Sequence, residues 1–136
     1  TDVLAATDFV VPALEIVDAR VQDQRKIFDT VADNGAAAGI VMGGRPIRPM
    51  DADLRWVGGI MYKNSEIEET GVAAGVLGHP AMGVAWLANK VGSMGTPLEP
   101  GHVVLAGSFT RVVWANKGDT IRADFGELGS ISLQFV

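Results

Sequence analysis

The sequence predicts a β-rich α+β domain with one main helix, and three observations support this. Apolar and polar residues alternate along 119–125 and 131–135, near the end of the chain, as in strands that bury one face. Four apolar residues recur at helical spacing between positions 84 and 91, which predicts an amphipathic helix. Glycine- and proline-rich turns divide much of the remainder into short apolar segments typical of strands.

The first part of the chain alternates apolar segments with polar turns. In order, the predicted elements are a helical or loop lead-in over 1–8, a strand over 9–17, a polar loop over 20–25, a short apolar segment over 26–32 and a core segment over 36–42. Pro12 requires an edge or a bulge in the first strand because it lacks an N–H donor. Asp33-Asn34-Gly35 predicts a tight turn, since Asn and Gly accept positive φ.

The second part contains two predicted hairpins and the main helix. After a connecting loop over 47–53, the predicted elements are a hairpin over 54–70, a helix near 80–91, a strand over 102–106 and a closing hairpin over 119–135. Ser65 suits a type I′ turn less well than Gly, so the first hairpin is expected to have a longer or distorted loop. Gly78-His79-Pro80 indicates the start of the helix and Gly92 its end.

Composition limits the domain count and the classes of partner. A chain of 136 residues with 48% apolar content predicts a single domain over 1–136. Sixteen acidic against eleven basic residues, without a basic cluster, argue against nucleic acid as a partner. No apolar run reaches membrane-spanning length, so we expect no membrane partner and a cytoplasmic location. The chain opens at Thr1 without Met, which suggests a piece of a longer protein.

Glu15 is a carboxylate in the middle of the apolar strand over 9–17. An ionised carboxylate buried there would need a cation or a metal ion as its partner, or would have to be protonated. Alternatively, the face that carries Glu15 looks at solvent, as one face of an antiparallel sheet often does. Spacing alone leaves both interpretations open.

Familiar catalytic constellations are missing, but two segments suit an anionic ligand. His79 and His102 lie far apart, and the serine-hydrolase elbow is absent around Ser108. Residues 26–34 place Lys26 among two carboxylates and a carboxamide. Residues 106–111 offer backbone donors and two hydroxyls, and Gly107 lets a ligand approach the backbone beside Ser108.

Several motifs together resemble a known family. In order, they are PALEIVDAR, KIFDTVADN, GGRPIRP, DLRWVGGIMYKN, IEETGVAAGVLGHPAMGVAWLANK, GSFTR, KGDT and LGSIS. This series is similar to the C-terminal half of the 2-oxo-hept-4-ene-1,7-dioate hydratases, within the fumarylacetoacetate hydrolase superfamily. The resemblance covers essentially the whole chain. It implies a mixed β-roll or sandwich of the superfamily's C-terminal domain type, assembled into homo-oligomers.

The resemblance also implies a metal site of which this chain carries one part. In the family, Mg²⁺ or Mn²⁺ is held by a Glu-x-Glu pair and a third carboxylate, and Glu15 occupies the third position. The pair would lie upstream of Thr1, because Glu66-x-Glu68 falls in a later hairpin. Lys26 matches a lysine near the site and is the candidate catalytic residue. Gly107 and Ser108 match the loop that meets the substrate's pyruvyl carboxylate.

The activity implied is a divalent-metal-dependent hydration of a small 2-oxo dicarboxylic acid, 2-oxo-hept-4-ene-1,7-dioate, in the homoprotocatechuate branch of aromatic catabolism. The alternatives in the superfamily are 4-oxalocrotonate decarboxylase and 2-hydroxypentadienoate hydratase, which typically carry Ser where this chain has Ala36. A non-enzymatic alternative is an oligomerising β-domain that is catalytically incomplete as it stands. The loop between Arg20 and Lys26 is shorter than in the dioate hydratases, which leaves local substrate contacts open.

Overall fold

Short helices and antiparallel strands make up the part of the chain that the structure, a computed structural model, describes, residues 2–22 and 24–136. The helices are α1 (Asp2–Ala5), α2 (Ile27–Ala32) and α3 (Pro80–Ser93), and the strands are β1 (Ala13–Val17), β2 (Ala37–Met42), β3 (Gly58–Lys63), β4 (Glu66–Val72), β5 (Thr120–Asp124) and β6 (Ser130–Gln134). The predicted α+β class with one main helix is confirmed.

The larger sheet is antiparallel, with strand order β4-β3-β5-β6. Its buried face carries Ile121, Ala123 and Ile131, each at most 5% exposed, while Arg122 and Ser132 on the same strands point outward. The alternation predicted for the closing hairpin is therefore confirmed. Because the side-chain period of a strand is two, this pattern also fixes which face packs inward.

The smaller sheet pairs β1 with β2, and β1 is shorter than the predicted strand over 9–17. Before it, Val10 makes only an isolated bridge to Ile47. Pro12 cannot donate a backbone hydrogen bond, and its carbonyl accepts one from Gly43 N at 3.1 Å. Pro12 thus marks the point at which regular pairing begins.

The first hairpin, β3–β4, has a tighter turn than expected. Lys63 pairs directly with Glu66, so only Asn64 and Ser65 join the strands, with φ of 50° and 75°. The prediction of a longer or distorted loop was wrong. Asn64 offsets the strain of positive φ because its side chain donates to Asp119 and accepts from Thr120 N. The irregularity lies within the ladder instead, between Met61 and Tyr62.

The main helix, α3, begins at Pro80, as predicted, and ends at Ser93, one residue beyond Gly92. His79 Nδ1 accepts a hydrogen bond from Ala81 N at 3.0 Å and so caps the first turn. Two residues after the helix, Gly95 adopts φ of 80°. A helix commonly ends near a glycine of this conformation because its last carbonyls can then be satisfied.

The predicted strand over 102–106 is wrong, since those residues form no strand in the structure. They run past α3, where a Cβ on Gly83 would lie 2.9 Å from the carbonyl oxygen of Ala106. A strand needs a neighbour with free backbone groups, whereas those of α3 are used within the helix. The sequence of 102–106 favours extended backbone, but no neighbouring strand lies alongside to form hydrogen bonds with it.

Much apolar surface is uncovered on the chain. Its accessible surface is 9534 Å², against roughly 6,800 Å² expected for a folded monomer of this mass. The exposed fraction is 79% for Phe28 and Trp114 and 70% for Trp56. Such exposure is typical of surface that another part of a protein or assembly covers.

No helix in residues 2–22 and 24–136 combines the length and apolarity that crossing a membrane requires.

Candidate metal and substrate site

Glu15 lies at the centre of β1 on the exposed face of the two-stranded sheet. The residue directly opposite is Ile40, which is 47% exposed. Val17 and Met42 share this face and are 52% and 54% exposed, whereas Leu14 and Ile16 on the opposite face are half-buried. Of the two interpretations left open by the sequence, the exposed face is the one found. The surroundings of Glu15 are nevertheless apolar.

Lys26 immediately precedes α2, where its extended backbone forms the N-cap. Its backbone N–H donates to Asp29 Oδ2 at 2.8 Å, so the Asp29 carboxylate serves the start of the helix. The Lys26 side chain is exposed. Next to it, Ile27 and Phe28 are 69% and 79% exposed and present an uncovered apolar surface.

Arg20 and Asp33 form an ion pair that sequence reasoning missed. Arg20 Nε lies 2.5 Å from Asp33 Oδ1, and Arg20 N donates to Asp33 Oδ2 at 2.8 Å. These hydrogen bonds lower the pKa of Asp33 below its ordinary value of 3.8. The available signal was an Arg in the polar loop after one strand and an Asp in the turn before the next. The sequence interpretation assigned that Asp to the turn and to the segment predicted to suit an anionic ligand, without pairing it with Arg20.

The loop that carries Gly107 and Ser108 is anchored by the neighbouring Phe109. A Cβ on Gly71 would lie 2.1 Å from Phe109 O, and one on Gly59 would lie 2.7 Å from its ring. The ring also meets Phe125 edge to face, with centroids 6.1 Å apart. Gly59 and Gly71 in the first hairpin therefore leave the space that Phe109 occupies, and this contact holds the loop in place.

Ser108 is exposed, but its hydroxyl is engaged locally. It donates to Thr110 O at 2.9 Å and accepts from Thr110 N at 3.2 Å. Gly107 has φ of 110°, a conformation that favours glycine. The loop is thus a preformed turn in which the Ser108 proton is donated to Thr110 O, so the hydroxyl would have to give up that bond to donate to a carboxylate.

A wide groove of about 830 Å³ lies elsewhere, between β3–β4 and the turn after β5. It is lined by Trp56, Val57, Gly59 and Phe125 among others. The lining includes none of Glu15, Lys26, Gly107 or Ser108. This groove is therefore separate from the residues that the sequence predicted for the site.

The structure places the predicted site residues on three separate segments. Glu15 lies on β1, Lys26 at the start of α2, and Gly107 and Ser108 on the loop after 102–106. Among residues 2–22 and 24–136, no cluster of three or more His, Cys, Asp or Glu side chains could hold a metal ion. The carboxylates of Asp29 and Asp33, in the segment predicted to suit an anionic ligand, have structural partners instead.

Both histidines have local structural roles. His79 caps α3 as described, and His102 Nδ1 accepts a hydrogen bond from Glu99 N at 3.1 Å. Each ring has one nitrogen committed as an acceptor, which disfavours a ligand role for that nitrogen.

Curated relatives match nearly all of the chain. It is 58% identical over 142 aligned residues to the 2-oxo-hept-4-ene-1,7-dioate hydratase of Escherichia coli, an alignment that covers 99% of this chain and 53% of the relative. It is 43% identical to the 2-hydroxyhexa-2,4-dienoate hydratase of Comamonas testosteroni, over 98% of this chain and 51% of the relative. No protein-family model matches the chain.

Over nearly all of its residues the chain is thus similar to enzymes of the fumarylacetoacetate hydrolase type. The resemblance predicted from its motifs is confirmed, and the chain spans about half the length of the curated relatives it matches.

Solved structures of this superfamily share the fold. The 4-oxalocrotonate decarboxylase of Pseudomonas putida G7 in complex with magnesium and adipate superimposes with a TM-score of 0.91 at 38% identity. The superposition covers 99% of this chain and 52% of the decarboxylase. The same enzyme complexed with calcium and acetate gives the same TM-score and identity, over 99% of this chain and 51% of the decarboxylase. The predicted C-terminal domain type is thereby confirmed.

Proposed function

We propose that this chain is the C-terminal portion of a divalent-metal-dependent hydratase that adds water to 2-oxo-hept-4-ene-1,7-dioate. The observation that carries the proposal is the 58% identity, over 99% of the chain, to a hydratase named for that substrate. At 39% over a similar span, the identity to the 4-oxalocrotonate decarboxylase of Pseudomonas putida is clearly lower. Ala36, where decarboxylases typically carry Ser, supports the same choice.

Glu15 is suited to be one ligand of the divalent cation. It supplies the hard carboxylate oxygen that Mg²⁺ and Mn²⁺ prefer, and it lies exposed in the middle of an apolar face. A single carboxylate does not complete such a site, so the remaining donors come from outside the described residues. When bound, the cation supplies Lewis-acid polarisation of the 2-oxo acid. Solved relatives that contain magnesium or calcium support a divalent ion.

The chain's other candidate residues would bind substrate and move protons. Gly107 and Ser108 lie on a turn fixed by Phe109, and to hold the substrate's carboxylate the Ser108 hydroxyl would exchange its bond to Thr110 O for one to the substrate. The ammonium of Lys26 would hold or deliver a proton as water adds at C4. The exposed side chain of Lys26 and the uncovered apolar surface beside it are consistent with a site that further chain completes.

In this proposal, the absent half of the protein accounts both for the remaining metal ligands and for the uncovered apolar surface. The chain spans about half of its relatives, and it exposes roughly 2,700 Å² more surface than a monomer of its mass. We assign that surface to contact with the remaining half and with other copies in a homo-oligomer. A standard protein interface buries about 800 Å² on each partner, so the excess exceeds one such contact.

A decarboxylase is the second candidate, supported by the TM-score of 0.91 to 4-oxalocrotonate decarboxylase. Incubation of the full-length protein with each 2-oxo acid separates the two reactions. Hydration removes the absorbance of the substrate's conjugated 2-hydroxy-2,4-diene tautomer without release of CO₂, whereas decarboxylation releases one CO₂ per turnover. Release of CO₂ from 4-oxalocrotonate, without hydration of the dioate, would refute the hydratase.

The role of Glu15 is tested by Glu15→Gln in the full-length protein, with Glu68→Gln as the matched control. Glu68 is also an exposed carboxylate on a strand, but it lies in the β3–β4 hairpin. We expect Glu15→Gln to weaken Mg²⁺ binding at least about tenfold in calorimetric titration and to abolish turnover. The control should retain both. Wild-type Mg²⁺ affinity in the Glu15 variant would overturn its assignment as a ligand.

A further inference from the structure

The Arg20 side chain makes more contacts than a surface ion pair requires. Its Nε and backbone N donate to the two carboxylate oxygens of Asp33. In addition, its Nη2 donates to Asp33 O at 2.7 Å and its Nη1 to Ala37 O at 3.1 Å. Arg20 thus provides donors for both carboxylate oxygens and the carbonyl oxygen of Asp33, and for the carbonyl oxygen of Ala37. We name these contacts the Arg20 clamp.

The Arg20 clamp joins three elements at one point. Arg20 lies three residues after β1, Asp33 is the C-cap of α2, and Ala37 is the first residue of β2. Nearby, Asp18 N donates to Ala36 O at 2.9 Å and continues the connection between the two strands. The end of α2 is therefore fixed to the sheet that carries Glu15.

An exposed ion pair in the same chain shows the contrast. Arg48 and Asp51 lie 3.1 Å apart, and their side chains are 79% and 48% exposed. In the Arg20–Asp33 pair the Asp33 side chain is only 7% exposed, although that of Arg20 is 52% exposed. Exposed pairs contribute little to stability, whereas a shielded carboxylate with several charge-assisted hydrogen bonds is held in one geometry.

We propose that Arg20 is a positioning residue that, through Asp33 and Ala37, holds α2 and therefore Lys26 in a fixed place relative to the Glu15 strand. The catalytic part of this inference rests on the proposed function. The geometric part does not, because it concerns only how α2 is attached to β1 and β2. Lys26 lies at the other end of the six-residue helix from Asp33, so a shift at the clamp moves Lys26 with it.

The planar fork of arginine is essential to this role. Three separate guanidinium nitrogens address three different acceptors. A lysine has the same charge but a single nitrogen, which cannot reach acceptors spread over the turn and the strand at once. Arg20→Lys is therefore the informative variant, since it preserves charge and removes only the fork.

The test uses the full-length protein with Arg20→Ala, Arg20→Lys and Asp33→Asn, and Arg48→Ala as the matched control. Amide hydrogen exchange is followed over residues 27–36, together with Mg²⁺ affinity, KM and kcat for hydration. In the three clamp variants we expect faster exchange confined to 27–36 and a fall in kcat of about 10- to 100-fold. Mg²⁺ affinity should stay within about threefold, because Glu15 remains on its strand. The control should match wild type.

Several outcomes would overturn the inference. These are wild-type exchange over 27–36 in the clamp variants, wild-type kcat in Arg20→Lys, or equal losses of kcat and Mg²⁺ affinity, which would indicate general damage. If Arg20→Ala fails to fold, Arg20→Lys and Asp33→Asn carry the test. If the wild-type protein hydrates no 2-oxo acid, the proposed function fails, and exchange alone decides whether the clamp fixes α2.

Discussion

Asn64 Nδ2 donates to Asp119 Oδ1 at 2.6 Å, which ties the tip of the first hairpin to the loop that precedes β5. The same carboxylate accepts from Asn116 N at 2.8 Å and pairs with Lys63 Nζ at 3.1 Å. The Lys63 ammonium also donates to Trp114 O at 2.8 Å. Asp119 is therefore the centre of a network that holds together segments about 55 residues apart.

The first prediction concerns stability at low pH. The hydrogen bond from Asn64, followed by those from Asn116 and Lys63, lowers the pKa of Asp119 from 3.8 to about 2. Above pH 3.8 the carboxyl is ionised in the folded and unfolded states, and its stabilisation is fully present. As the pH falls from 3.8 towards 2, the unfolded state takes up the proton first, so this stabilisation is progressively lost.

Asp119→Asn should consequently destabilise the intact protein near pH 6, with the difference from wild type narrowing towards pH 2. Urea unfolding at a series of pH values measures this. Asp51→Asn, in the exposed Arg48 pair, is the control and should change stability little at any of these values. A gap between Asp119→Asn and wild type that is constant with pH would contradict the prediction.

The second prediction concerns Gly71, one of the two glycines that leave space for Phe109. Gly71→Ala should destabilise the protein by about 1–3 kcal/mol, because the new Cβ meets the Phe109 carbonyl oxygen and the loop must move. Gly92→Ala is the matched control. It lies in α3 with nothing within 4 Å of the added Cβ, so it should be neutral or stabilising by about 0.5–1 kcal/mol. Chemical denaturation compares the two, and equal effects would refute the steric explanation.

The third prediction compares the stability contributions of a buried and an exposed isoleucine on opposite faces of the larger sheet. Ile131 is 4% exposed in the core, and Ile67 is 61% exposed on the edge strand β4. Ile131→Ala should cost about 2–5 kcal/mol in unfolding free energy. Ile67→Ala should cost less than about 1 kcal/mol unless another part of the protein covers that edge. Parallel unfolding curves measure both, and a large loss at Ile67 would place it in an interface.

The fourth prediction tests the cap of α3. His79→Ala should lower stability by about 0.5–2 kcal/mol, since Ala81 N loses its acceptor at the start of the helix. His79→Asn should restore most of the loss because Asn is a good N-cap. Thermal unfolding of the intact protein measures both variants. Equal losses in the two would show that His79 acts through packing and not through the cap.

Local sequence was sufficient where one short pattern decides the structure. The helical spacing between Val84 and Val91 identified α3, and Pro80 marked its start. Alternation identified β5 and β6, together with their buried face. The motif series, from PALEIVDAR to LGSIS, predicted the resemblance to the superfamily and hence the fold type. Each of these signals depends on residue types at fixed spacing along the chain. That spacing is a property of the sequence and does not depend on contacts with distant segments.

Tertiary structure decided what depends on distant partners. Residues 102–106 resemble a strand but have no ladder to join, and Asn64 and Ser65 form a tight turn beside Asp119 and Thr120. The Arg20 clamp likewise could not be predicted from local sequence, because the partners of Arg20 come from a different turn and strand. The sequence alone determined that Glu15 interrupts an apolar strand. Only the structure showed that it faces outward on an uncovered apolar face, since a side chain's surroundings are made by segments far away in the chain.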